Sequence, residues 1–183
     1  MIYFTSDLHI NHDKPFIYEA RGFSNIIDHD TALLKNWNDI IQPEDTVYIL
    51  GDLCLGNNES EWNRIFYNLK GKKYFIRGNH DTDRRVIMFE QDYHIYNCGY
   101  ANILKYSKKY HFYLSHYPTY TANYDDDKKY PLINLAGHCH TKNKFSDMNK
   151  GFIYHVELDA HNMYPVSIEK IIKDIKEFNV WLF

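Results

Sequence analysis

Five times along this 183-residue chain, a short run of apolar, β-branched or aromatic residues stops at side chains able to bind a metal or move a proton. Residues 2–5 end at Ser6-Asp7-Leu8-His9, residues 46–50 at Gly51-Asp52, and residues 73–77 at Gly78-Asn79-His80-Asp81. Further on, residues 110–115 lead to His116, and residues 133–136 to Gly137-His138-Cys139-His140. Apolar runs this short, bounded by turn residues, read as buried strands. Between the first three lie stretches with helical spacing. Ala32, Leu33, Trp37, Ile40 and Ile41 share one face of residues 28–41, with Asp28 or Asp30 as cap and Pro43 beyond the end. Trp62, Ile65, Phe66 and Leu69 form a second stripe closed by Gly71, and residues 82–89 a third helix. Strand–helix alternation requires right-handed crossovers and parallel strands, which places the chain in the α/β class. In open α/β sheets, sites form beyond the carboxyl ends of strands. Five strand ends would therefore aim polar side chains at one crevice.

The second half is richer in strands. Residues 93–96, 101–106 and 110–115 read as short strands, with a hairpin turn at 107–109. Residues 152–158 alternate outward and inward. Residues 166–178 read as a last helix after Pro165, and 179–183 as a closing strand. Residues 119–131, with the charged run 125–129, read as a solvated loop or a loop covering a substrate. No repeat or linker divides residues 1–183, so one domain is expected; a chain of this size buries about 70% of its unfolded surface.

Charge and cysteine content exclude several functions. A net charge of −3 supplies no global basic field, so neither a membrane surface nor nucleic acid is a strong expectation. No apolar stretch is long enough to span a bilayer. Cys54, Cys98 and Cys139 are scattered and odd in number, which fits a reducing, cytoplasmic setting and rules out a four-thiolate zinc site. The 17 Tyr and 11 Phe are read as an aromatic core. Eleven His exceed what surface and core use would require, and the strand ends account for the excess. His29, His94, His111, His155 and His161 belong to no motif and are read as surface or satisfied core residues.

The residue types at the strand ends point to metal binding. In an extended segment Asp7 and His9 face the same side, as do His138 and His140. Mixed carboxylate and imidazole ligands suit Mn, Fe and Zn. Seven ligand-type residues exceed the needs of one ion and match two. Asp52, alone on its strand, is the natural bridge between them. Two divalent ions against two Asp leave a positive cluster, which suits an anionic substrate, and paired metals are a recurrent device for phosphoryl oxygens.

Taken in order, Asp7-x-His9, Gly51-Asp52, Gly78-Asn79-His80-Asp81, His116 and Gly137-His138-x-His140 resemble the five motifs of the calcineurin-like metallophosphoesterase superfamily, in particular its small bacterial and phage-type members. The resemblance implies an α/β (α+β) four-layer sandwich, two mixed β-sheets packed face to face and flanked by helices. It implies two divalent ions, Mn2+ first and Fe or Zn as alternatives. One would be held by Asp7, His9, Asp52 and His140, the other by Asp52, Asn79, His116 and His138. A hydroxide between them would attack phosphorus, and His80, the catalytic residue, would give the leaving oxygen its proton. The partner implied is a small anionic phosphoester, mono- or diester, of nucleotide-like size. Where the protein Ser/Thr phosphatases continue Gly-Asp to an Asp and an Arg, this chain has Leu53-Cys54-Leu55-Gly56. A protein phosphatase is therefore not expected, and His80 lacks an obvious orienting carboxylate. Arg77, Arg84 and Arg85 are candidate phosphate contacts; His12, Arg85 and Tyr117 are the substrate-binding candidates. Cys139 is expected to point into the opposite layer, away from its neighbours. A non-catalytic scaffold on the same fold is the alternative function, but it predicts eroded ligands; a nuclease subunit would need a basic face.

Overall fold

A computed structural model describes residues 1–121, 132–146 and 152–178. Strands β1 (Ile2–Thr5), β2 (Thr46–Leu50), β3 (Lys72–Ile76) and β4 (Tyr96–Asn97) run parallel, in that order. Strand β10 (Val166–Ser167) adds an antiparallel edge beside β1. The crossovers carry the one-turn helix α1 (Pro15–Tyr18), then α2 (Ile26–Ile40), α3 (Glu59–Phe66) and α4 (Asp83–Asp92). Tyr3, Val47, Ile49 and Phe75 bury against Leu33, Trp37, Trp62, Ile65 and Phe89 of these helices. Their neighbours in sequence, Phe4, Leu50 and Ile76, face the other way into a second core. Both faces of the sheet are thus covered, which is why its strands read as unbroken apolar runs. Trp37 is 1% exposed, and its indole N–H donates to Lys70 O at 2.9 Å.

The second core is shared with a mixed sheet of order β5-β6-β7-β9-β8. Its members are β5 (Ala101–Lys105), β6 (His111–Ser115), β7 (Leu132–Ala136), β8 (Phe145–Ser146) and β9 (Ile153–His155). Strands β6, β7 and β9 are parallel, and β5 and β8 antiparallel to their neighbours. Phe112, Leu114, Ile133, Leu135 and Tyr154 meet the first sheet there. Helix α5 (Ile168–Glu177) sends Ile168, Ile171 and Ile175 into the same core, and Tyr154 donates to its Asp174 at 2.7 Å. Two mixed sheets face to face with flanking helices are the expected architecture.

Several boundaries differ from expectation, each for a local reason. Helix α2 starts at Asn25, whose side chain accepts from Asp28 N at 2.9 Å; Asp30 is instead buried, accepting from Asn11 N at 2.8 Å. Residues 93–95 form no strand. Helix α4 runs to Asp92, His94 then turns with φ 52°, and only Tyr96–Asn97 reach the β3 edge. Residues 152–158 do not alternate: all seven are buried, because the polar positions are satisfied internally, His155 Nδ1 with Glu157 at 3.2 Å and Glu157 with Thr141 N at 2.8 Å. The last helix begins two residues late, since Val166 and Ser167 pair with β1 before Ser167 caps Lys170 N. The expected strand at 179–183 and most of the loop at 119–131 lie outside the described residues. Among the described residues, no helix is long and apolar enough to cross a membrane.

His161 links this fold to pH. It donates from Nε2 to His155 O at 2.8 Å and stacks on Tyr154, and burial takes its pKa down to about 4. The unfolded chain, at 6.5, therefore binds the proton first. The stabilisation is complete above pH 6.5 and is lost as pH falls toward 4. Urea titrations should show His161→Gln removing part of the acid sensitivity between pH 6.5 and 4, by at most about 3 kcal/mol. A wild-type-minus-variant difference that stays flat across this window would contradict the assignment.

Candidate metal centre

All five motifs reach the same end of the two sheets, but not as extended strand ends. Asp7 (φ 55°), His9 (φ 50°), Asp52 (φ 55°), His138 (φ 73°) and His140 (φ 48°) all adopt left-handed backbone conformations. Non-glycine residues rarely do so, and each such conformation costs on the order of 1 kcal/mol or more. The kinks are held by pairing that continues past the strands: Asp7 N to Gly51 O at 3.1 Å, His9 N to Asp52 O at 3.0 Å, and Ile10 N to Leu53 O at 3.1 Å. Leu8 and Ile10, between and beyond the ligand residues, are fully buried. Core burial on one side thus fixes where Asp7 and His9 point on the other.

Two sets of donor atoms result. Asp7 Oδ1 lies 3.9 Å from His9 Nε2 and 3.7 Å from His140 Nε2, and these two nitrogens are 3.2 Å apart. Nearby, Asn79 Oδ1 lies 2.8 Å from His116 Nε2 and 3.0 Å from His138 Nδ1. Asp52 Oδ2 stands between the sets, 3.8 Å from His9 Nε2 and 3.6 Å from His116 Nε2. Asp7, His9 and His140 form one group able to hold an ion, and Asp7, Asp52 and His116 another. All seven expected ligand residues are therefore brought together.

The chemistry of these contacts fits a cation. His116 Nδ1 donates to Leu50 O at 2.8 Å, and His140 Nδ1 to Asp159 Oδ2 at 3.1 Å. With Nδ1 donating, the neutral form of each ring leaves its Nε2 lone pair directed inward. At His116 such a neutral ring meets Asn79 Oδ1 lone pair against lone pair at 2.8 Å. Asp7 Oδ1 is likewise buried without a hydrogen-bond partner. Orphaned buried acceptors are rare unless a cation serves them.

The electrostatics agree. Burial pushes the Asp7 carboxyl up to about 6. Burial, followed by the charges of His140 and Arg21, holds His9 far below its usual range, so its ring is neutral. Burial also lowers His138 and His12. His140 moves the other way, raised by its hydrogen bond to Asp159. Burial opposes ionisation of Asp159, but hydrogen bonds from His140 and Arg21 outweigh it and take the carboxyl well below its normal range.

Residues outside the motifs set these orientations. Asp159 also receives Arg21 Nε at 3.1 Å and Nη2 at 2.8 Å. Arg21 Nη2 donates to Asp7 O at 2.7 Å, and its Nη1 meets His29 Nε2 at 3.0 Å. The motif-free His29 is thus a satisfied core residue, bonded on its other nitrogen to Asp30. No spacing rule connects Arg21, Asp159 and His140, which are far apart in sequence, so sequence reasoning misses this support. Asp81 is settled too. Its carboxylate accepts from Asp52 N (2.7 Å), Leu53 N (3.2 Å) and Gly78 N (2.8 Å), tying the β2 and β3 ends together. Gly78 is needed for close approach: a Cβ there would strike Asp52 Oδ1 and lie 2.7 Å from Asp52 N.

The remaining candidates sort by position. The His80 ring lies 3.9 Å from Asp52 Oδ2 and its backbone N–H donates to Asp52 Oδ1 at 2.9 Å, so Asp52 is the carboxylate beside it. His12 Nδ1 bonds His9 Nδ1 at 3.1 Å, and its ring centroid is 6.1 Å from that of His80. Tyr117, half exposed, packs its ring edge against His138 at 4.8 Å and forms a wall. Arg85 donates to His80 O at 2.9 Å and Gly56 O at 3.3 Å, bracing two loops. Arg77 is engaged by Asp81 O and Asp83. Cys139 does not enter the opposite layer; it is exposed, because the left-handed residues on either side turn the loop outward.

The family model for calcineurin-like phosphoesterases matches residues 1–182. The chain belongs to that family. A calcineurin-like phosphoesterase of this size has relatives in archaea and phages. An uncharacterized protein of Methanocaldococcus jannaschii is 33% identical, covering 98% of this chain and 93% of its own length. The gene 66 protein of Mycobacterium phage D29 is 30% identical, covering 96% and 98%. A solved structure, a protein of unknown function from Aquifex aeolicus, has a TM-score of 0.74 at 25% identity, covering 96% of this chain and 99% of that one.

Asp159 is expected to tune metal affinity through His140. Outer partners of ligating His are worth about 10–100-fold in affinity, so Asp159→Asn should weaken Mn2+ binding by that factor in calorimetry on the folded variant. Unchanged binding would remove Asp159 from the site.

Proposed function

We propose that this phosphoesterase hydrolyses a phosphomono- or phosphodiester of a small, nucleotide-like compound, using two divalent ions. The observation that carries this reading is Asp52, whose single carboxylate oxygen stands within 3.8 Å of ligand nitrogens in both donor sets. Asp7, His9, Asp52 and His140 would hold one ion, and Asp52, Asn79, His116 and His138 the other. Mn2+ suits the mixed carboxylate, amide and imidazole set, with Fe or Zn as alternatives. When bound, the ions supply charge to the phosphoryl oxygens and make water acidic near neutral pH. Two ions against two aspartates leave the cluster positive, which favours an anionic substrate.

The chain's own groups do the rest. His80, its side chain 44% exposed, is fixed at its backbone by Asp52 and presents its ring to solvent, where it would hold the proton destined for the leaving oxygen. Tyr117 walls the His138 side. His12 keeps His9 in the orientation that turns Nε2 inward and stands close enough to His80 to meet a bound substrate. Free, scattered thiols fit a reducing cytoplasm.

A Mn2+-supplemented panel of mono- and diesters, including nucleotides and cyclic nucleotides, tests the reading; absence of metal-dependent hydrolysis across it would return the protein to a binding role. His80→Ala should retain both ions and lose about 10²–10⁴-fold in turnover. Wild-type rates in that variant would remove the proton-donor role. Asp52→Asn should weaken both ions together, and two tightly bound ions in it would exclude the shared ligand.

A further inference from the structure

A cavity of about 290 Å³ opens between the starts of α3 and α4, and Arg85 in its lining donates to His80 O. We propose that it is the leaving-group subsite of the same centre and that it accepts a second phosphate on the substrate; this rests on the phosphoesterase reading above.

Charge pairing singles the cavity out. The chain has five arginines. Arg21, Arg64 and Arg77 are each paired with a carboxylate, Asp159, Glu61 and Asp83. Arg84 and Arg85 have no carboxylate partner among the described residues, and both line this cavity. Arg84 is exposed. Arg85 spends one side of its guanidinium on His80 O and Gly56 O, at 2.9 and 3.3 Å. The cavity wall and the His80 turn are therefore joined by one planar group. In this proposal a leaving group protonated by His80 would depart on the His80 side of the metal centre, the side that Arg85 joins to the cavity.

The lining suits a phosphate carried on a polar unit. Guanidinium groups match phosphate oxygens with paired N–H donors. Glu59 and Asn57, both exposed, also line it and can accept from hydroxyl or amino groups of the same ligand. Trp62 and Met88 supply the apolar part of the lining. Two guanidinium groups against Glu59 leave one net positive charge. The volume is at the small end for ligand sites, enough for a phosphorylated sugar and too small for a polymer.

The test compares adenosine monophosphate with an adenosine bisphosphate phosphorylated at both ends of the ribose. Calorimetry on the Mn2+-loaded protein should give a bisphosphate affinity at least about 10-fold higher, one tenfold step being about 1.4 kcal/mol. Arg84→Glu should abolish that preference, and Glu59→Gln should enlarge it. The ratio of kcat/KM for the two compounds should follow the same order. Equal affinity for both compounds in the wild type, or a preference untouched by Arg84→Glu in a folded variant, would overturn the subsite. If neither compound is hydrolysed yet the binding preference and its Arg84 dependence hold, the phosphoesterase reading fails and the anion site stands.

Discussion

The central physical constraint on this fold is the gathering of lone pairs. Within a few ångströms the chain collects two carboxylates, one amide oxygen and four imidazoles, their donor atoms turned toward one another. Nothing local favours such a cluster. It exists because the backbone around it is over-determined: strands β1 and β2 keep pairing beyond their ends, and Leu8 and Ile10 are sealed into the core. Five left-handed residues are held there against their conformational preference, and strain at that density is a mark of a site under functional demand.

Around the donor atoms lies a second layer that makes their geometry rigid. Leu50 O and Asp159 each fix the tautomer and direction of a histidine. Arg21 ties Asp159 to the Asp7 backbone and to the buried His29–Asp30 pair, so the first loop and the 3-10 turn at Leu158–His161 are linked by one guanidinium. Asp81 does the same for the β2 and β3 ends by accepting three backbone N–H groups. Its carboxylate, though next to His80 in sequence, is turned inward, and so serves the backbone and not the reacting groups.

The two sheets divide the labour. The first supplies Asp7, His9, Asp52, Asn79 and His80 from parallel strands whose crossovers are long enough to hold helices. The second supplies His116 from β6 and His138 and His140 from the loop after β7. Packing Phe4, Leu50 and Ile76 against Phe112, Leu114 and Leu135 brings the halves together, so the apolar core between the sheets is what assembles the polar site at their end.

Much of this was legible in the linear pattern, and the limits of that reading are physical. Apolar runs ending in Asp, His and Asn identified the strands, their common end and the seven polar side chains gathered there, because burial and side-chain chemistry both restrict residue type. Alternation failed at residues 152–158, where buried polar pairs occupy the positions solvent would normally claim. The left-handed turns were invisible, since Asp and His carry no signal for positive φ comparable to glycine's. Arg21, Asp159 and the cavity beside Arg84 and Arg85 depend on contacts between segments distant in sequence, and no spacing encodes those. The sequence by itself determined the fold class and the donor set, through local preference and side-chain chemistry. Which carboxylate supports which histidine, where Asp81 and Cys139 point, and which arginines stay without a carboxylate partner were decided only when the two sheets packed, because each is a property of distance in space.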